Sequence, residues 1–125
     1  MRYIGFEGPI GAGKTTLLSL LCGFRRPTAG DAKVLGAPLA SLASLKGRLG
    51  VYPQDAALDA RRTVLSELSF WGQLSGLGQD ESLAAARNSL NLVGLADRTN
   101  HPCRALSHGM ARRVGIAGAL IADPE

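Results

Sequence analysis

At 125 residues, with 46% hydrophobic and 19% charged residues, the chain has the composition of one globular domain, and disorder is excluded as the default. Lys and Arg outnumber Asp and Glu by 14 to 10, but the basic residues are scattered as pairs (Arg25-Arg26, Arg61-Arg62, Arg112-Arg113), so no nucleic acid partner is expected. No apolar run approaches the ~20 residues that span a bilayer, and Met1-Arg2 leads into a strand pattern rather than a signal peptide.

Aromatic residues are scarce at 5% and there are 16 glycines, which favours a loop-punctuated α/β protein. Arg2 to Glu7 forms a short, mostly apolar run closed by Gly8-Pro9, the pattern of a strand buried on both faces. From Gly13 to about Phe24 the period turns helical, with Leu17, Leu18, Leu20 and Leu21 as an apolar face and Cys22 as a small core residue. Pro27 to Asp31 is turn chemistry, Lys33 to Leu35 a short strand, Leu39 to Leu45 a weak helix, and Arg48 to Tyr52 a further strand closed by Pro53.

Thr63 then caps a helix carrying Val64, Leu68, Trp71 and Leu74 at helical spacing, stopped by Gly76 and Gly78; Trp71 is read as core. A second helix covers about Asp80 to Val93, with Leu83, Ala86, Leu90 and Val93 on one stripe and Gly94 as its stop. Asp97 to Cys103 is a loop. Its His101-Pro102-Cys103 lacks the second ligand pair that a zinc site needs. Ser107 caps a last helix with Met110, Val114, Ala117 and Ile121 on one face, ending at Asp123-Pro124. There are no internal repeats.

The chemistry concentrates in Gly8-Pro9-Ile10-Gly11-Ala12-Gly13-Lys14-Thr15, a full match to G-x-x-x-x-G-K-[ST], with Thr16 following. Gly8, Gly11 and Gly13 allow backbone conformations that a Cβ would forbid, so that successive N–H groups can face phosphate oxygens. The N-terminus of the following helix adds partial positive charge. Lys14 is suited to the β- and γ-phosphates and the Thr15 hydroxyl to Mg²⁺. An apolar run before the loop and a helix after it supply the required context. This motif alone leaves kinases, GTPases and ATPases open.

Three further segments narrow the choice. Gly8 to Leu18, "GPIGAGKTTLL", resembles the Walker A loop of ABC ATPases. Arg48 to Gln54, "RLGVYPQ", resembles that family's Q-loop, with Gln54 forty residues after Lys14. Leu106 to Ala119, "LSHGMARRVGIAGA", resembles the ABC signature and its helix, although His108 and Met110 stand where the commoner form has Gly and Gln. Arg62 to Leu77 is similar to the start of the helical subdomain, especially in exporters of the ABC-2 type. Taken alone, Ser107 reads as an ordinary helix cap and Gln54 as a solvated loop residue. Behind a phosphate loop at the family's spacing, both read as nucleotide-facing.

The resemblance implies a P-loop NTPase fold: an α/β, RecA-like core of the ABC ATPase type, with a helical subdomain. It divides the chain into residues 1–62 (core, with Walker A and Q-loop), 63–105 (helical subdomain) and 106–125 (signature and its helix). It implies ATP and Mg²⁺ as cofactors. The phosphates would lie on Gly8, Gly11, Ala12, Gly13, Lys14, Thr15 and Thr16, the metal on Thr15 and Gln54, and Lys14 and Gln54 would be catalytic. Ser107 and Gly109 would face the γ-phosphate held by a second protomer in a head-to-tail dimer. Transmembrane permease subunits are the other implied partner, which places the protein on the cytoplasmic face of the membrane. A non-transport ABC ATPase or another P-loop kinase are the alternatives.

In the family, Asp123-Pro124-Glu125 would lead into the Walker B strand, so the sheet within this chain is expected to be incomplete and the chain a piece of a longer ATPase. Its strand edges would then lack partners. The 125-residue chain expressed alone is expected to aggregate and to hydrolyse ATP negligibly. A cooperative melt with turnover that Lys14→Ala abolishes would refute this.

Overall fold

The computed structural model describes residues 14–45, 48–52 and 57–123. The chain forms two compact units that divide between Leu49 and Gly50.

In the first unit, α1 spans Lys14–Leu21. It is shorter than the sequence pattern suggests because Gly23 adopts φ +77° and turns the chain out of the helix. Leu17 and Leu18 are exposed among the described residues, and Cys22 is half-buried rather than core, with burial raising its thiol pKa. Strands β1 (Lys33–Val34) and β2 (Ala37–Pro38) pair antiparallel, Lys33 opposite Pro38. The turn between them places Leu35 and Gly36 at φ +49° and +81°; glycine suits the second position because it has no Cβ. The expected strand at Lys33 is present and its partner is the unforeseen Ala37-Pro38 pair. Leu39–Leu45 is 3₁₀ rather than α, broken at Ser41 (φ −115°).

Arg48 to Tyr52 is not a strand among the described residues. The amides of Arg48 and Leu49 both turn back to the carbonyl of Leu45, at 2.9 and 3.2 Å, so the chain is still turning where the pattern called for extended pairing. The expected first strand, Arg2 to Glu7, lies outside the described residues.

The second unit is helical and its elements follow the sequence reading closely. Helix α2 (Val64–Leu74) is capped by Thr63, whose hydroxyl accepts from the Ser66 amide at 3.2 Å. Helix α3 (Gln79–Leu92) starts where the Glu81 carboxylate accepts from the Gly78 amide at 3.0 Å, and Gly94 at φ +70° follows its end. The loop expected from Asp97 to Cys103 is flanked by short 3₁₀ turns at Ala96–Arg98 and Cys103–Ala105. Helix α4 (His108–Leu120) is capped by Ser107.

The core of this unit is Val64, Leu68, Ala86, Leu90, Leu95, Cys103, Val114, Ala117 and Ile121, with Trp71 packed against it as expected. The predicted stripe of α3 holds at Ala86 and Leu90, which are fully buried, but is displaced one residue at its start: Ser82 is fully buried and Leu83 only partly. Small residues explain the displacement. A Cβ on Gly72 would stand 2.8 Å from that of Ser82, so α2 and α3 approach more closely there than larger side chains allow. The hydroxyls of Ser69 and Ser82, 3.0 Å apart, satisfy each other inside the contact. On α4, the Trp71 ring lies directly on Gly118, where a methyl group would overlap it.

Gly118→Ala is therefore expected to destabilise the helical unit by about 1–3 kcal/mol through overpacking. Because Trp71 is the sole tryptophan, its emission in a urea titration reports both the shift in midpoint and the displaced ring. An unchanged midpoint and spectrum would contradict the contact.

Candidate functional site

Lys14, Thr15 and Thr16 form the opening turn of α1, so the phosphate-loop motif runs into a helix N-terminus as its chemistry requires. Gly8, Gly11, Ala12 and Gly13 lie outside the described residues, as does Gln54. Thr16 is exposed. Lys14, Thr15 and Thr16 belong to the first unit; Gln54, Ser107 and Gly109 belong to the second.

Ser107 is exposed at the start of α4, and its Oγ accepts from the Met110 amide at 3.3 Å. The Ala111 amide bonds to the Ser107 carbonyl at 2.9 Å. The amides of His108 and Gly109 have no intrahelical acceptor and are left for an external one. A Cβ built on Gly109 meets nothing within 4 Å, so the space beside this helix end is open. The end of α4 thus leaves two backbone donors uncommitted beside open space.

Beside it lies an open cavity of about 320 Å³, walled by Tyr52, Leu58, Cys103, Arg104, His108 and Arg112. The wall contributed by residues 57–60 is held by a charge cluster that the sequence reading did not single out. Arg61 donates to the Asp59 carboxylate through Nε and Nη2 at 3.1 Å each, and its amide donates to the same group at 3.0 Å. The Arg61 side-chain bond, foremost, and then its amide hold the Asp59 carboxyl at about 2. Arg62 lies 3.7 Å from Asp59 and 3.6 Å from Glu67, with its guanidinium stacked 4.1 Å above the Phe70 ring.

Glu67 is buried. Its Oε1 accepts from the Asp59 amide at 3.3 Å, while Oε2 has the Arg62 charge nearby but no hydrogen-bond donor. Attraction to Arg62 offsets part of the cost of burying that oxygen. The signal that could have found this cluster was opposite charge at short spacing, Asp59-x-Arg61-Arg62 followed by Glu67 one helical turn later. Main-chain bonds fasten the same stretch to the far loop: Val64 N to His101 O at 2.9 Å, Leu65 N to Thr99 O at 3.0 Å and Cys103 N to Arg62 O at 2.9 Å.

Burial pushes the Cys103 thiol up to about 11, with Glu67 and Asp59 adding to the shift. A thiol held neutral at physiological pH is a poor nucleophile, so Cys103 acts as a core residue. His101 is engaged by Arg98 at 3.2 Å. Among the described residues no cluster of three or more His, Cys, Asp or Glu could hold a metal ion.

The depressed Asp59 pKa sets a sign for pH dependence. A carboxyl whose folded pKa lies below its ordinary 3.8 lends stability above that value and loses it as pH falls through about 2. Acid titration of unfolding from pH 5 to pH 2 is expected to give a flatter stability profile for Asp59→Asn than for wild type. Parallel profiles would show that the Arg61 pair contributes nothing.

Comparison with known proteins places these features in a family. Residues 2–125 match the family model described as ABC transporter. The taurine import ATP-binding protein TauB of Burkholderia pseudomallei is 44% identical over 117 residues, which are 94% of this chain and 44% of that protein. The linearmycin resistance ATP-binding protein LnrL of Bacillus subtilis is 36% identical over 122 residues, 97% of this chain and 39% of that one. Among solved structures, CbiO1 from Clostridium perfringens, part of the ABC transporter complex CbiONQ, superposes with a TM-score of 0.79 at 28% identity. That match covers 94% of this chain and 49% of the other. The chain therefore spans less than half the length of these curated relatives.

Proposed function

The chain belongs to the ABC transporter family, and from that premise we propose that it is the ATP-binding front of a subunit whose ATP hydrolysis drives a membrane permease. The observation that carries the reading is the presence, in one chain, of two helix N-termini suited to phosphate. One follows the glycine loop at Lys14; the other is capped by Ser107 and faces open space.

The residues fit a magnesium nucleotide. In this reading Gly8, Gly11, Ala12 and Gly13 cradle the phosphates with their amides, and Lys14 places its charge against the β- and γ-oxygens. Thr15 and Gln54 hold the ion, with Thr16 on the phosphate beside it. Bound Mg²⁺ offsets the charge that gathers on the phosphates. Ser107 and Gly109 lend a hydroxyl and first-turn amides to the γ-phosphate on a second protomer, so hydrolysis waits on a head-to-tail dimer. Residues 1–62 then form the nucleotide core, 63–105 the helical subdomain and 106–125 the signature segment.

Among the described residues no helix is long and apolar enough to cross a membrane. On the strength of the family match we assign the membrane step to permease subunits, with this subunit docked on their cytoplasmic face. TauB is named for import and LnrL for resistance. Both are named ATP-binding proteins, which supports ATP as the ligand here, and we assign cargo to the permease.

ATP turnover by the full-length gene product tests the reading. Lys14→Ala is expected to lower kcat on the order of 100-fold or more, as for other losses of a charge-stabilising group. Ser107→Ala should lower turnover while leaving binding of a fluorescent ATP analogue by the isolated protomer intact. Full turnover in Lys14→Ala would rule the proposal out.

A further inference from the structure

Helix α4 carries two glycines one turn apart, and an aromatic ring lies on each. A methyl group at Gly118 would overlap the ring of Trp71, and one at Gly115 would overlap the ring of Tyr52. Ring and helix backbone are therefore in direct contact at both positions. Trp71 comes from α2 and holds α4 to the helical core. Tyr52 comes from the chain that enters this unit, two residues before Gln54 in sequence. The same Tyr52 shares the wall of the cavity with His108 and Ala111, which lie at the start of α4.

Two rings seated on one face prevent a helix from rolling about its axis without lifting both. Helix α4 runs unbroken from His108 to Leu120, so its roll sets the direction of the Ser107 hydroxyl and of the first-turn amides. Gly115 lies eight residues from Ser107, about 12 Å along the axis at 1.5 Å per residue, a distance over which a helix is stiff. We propose that Tyr52 is a positioning residue: seated on Gly115, it sets the orientation in which α4 presents Ser107 to nucleotide. The inference rests on the proposed role of Ser107 and adds a determinant outside the phosphate loop and the signature segment. Glycine at 115 is then required for the close seat of the ring. The helix itself does not need it, since glycine is a poor residue for a helix interior.

The test is steady-state ATP turnover by the full-length gene product, with melting temperature measured in parallel. Gly115→Ala and Tyr52→Val are each expected to lower kcat on the order of 10- to 100-fold, the scale of a small misplacement of a reacting group. KM for ATP should stay within about twofold, because the phosphate loop is untouched. Combining the two changes should restore most of the lost kcat, since the added methyl fills space that the ring vacated. Tyr52→Phe should behave as wild type.

Val64→Ala, a core change on α2, serves as the stability control. If it lowers kcat as much for an equal loss of melting temperature, or if the double change is merely additive, Tyr52 is only packing and the inference is overturned. If Lys14→Ala abolishes turnover while Gly115→Ala and Tyr52→Val match wild type, this inference fails alone. If Lys14→Ala retains turnover, the reading beneath it fails as well.

Discussion

Close approach between rings, small side chains and helix backbone is the constraint on which the helical unit depends. Trp71 rests on Gly118, Tyr52 on Gly115, and Gly72 admits Ser82. Each contact removes a side chain from the space between two elements and lets the rest of the core close around it. Val114 and Ala117, fully buried on α4, meet Leu68 and Leu90 in one cluster because the helices come near enough to exclude water. A larger residue at any of these glycines would push apart elements that the remaining side chains are too small to bridge.

Packing alone does not place the segment that enters this unit. Residues 57–62 are short of large buried side chains, and charge supplies what apolar area does not. Asp59 binds Arg61, Arg62 reaches both Asp59 and buried Glu67, and the Phe70 face lies beneath the Arg62 guanidinium. Arg61 is exposed, so its pair is screened by water and acts mainly on local conformation. The Glu67 contact is different because the carboxylate is enclosed; removing Arg62 would leave a buried charge without a counter-ion. Main-chain bonds of Arg62, Val64 and Leu65 to Cys103, His101 and Thr99 then fasten this stretch to the loop before α4.

The proposed function draws on the start of α4. An end of α4 with two uncommitted amides beside an open Gly109 is of little use to a folded monomer, and such an end invites an anion from outside. A phosphate loop that opens a helix elsewhere in the chain supplies the complementary half of a shared site in the proposed dimer. Residues 2–125 match the ABC transporter family, and in the proposed function both halves serve ATP.

Much of this was legible in the order of the residues. Thr63, Ser107 and Gly94 bounded their helices because capping is local: a hydroxyl reaching an amide three residues on, or a glycine at positive φ, needs no distant partner. The phosphate-loop pattern and the signature segment could be read for a related reason, since each is a contiguous run of residues. The strand expected at Arg48 to Tyr52 was not, because a strand exists only through a ladder, and the amides of Arg48 and Leu49 returned to Leu45 instead. Nor could periodicity tell that Ser82 rather than Leu83 would face α2, or that Gly115 would receive the ring of Tyr52. Those outcomes depend on which small residue meets which large one across a gap between elements far apart in the chain. Local chemistry thus determined where α2, α3 and α4 begin and end, and only the packing of the second unit decided how Tyr52 and Trp71 hold α4 in place.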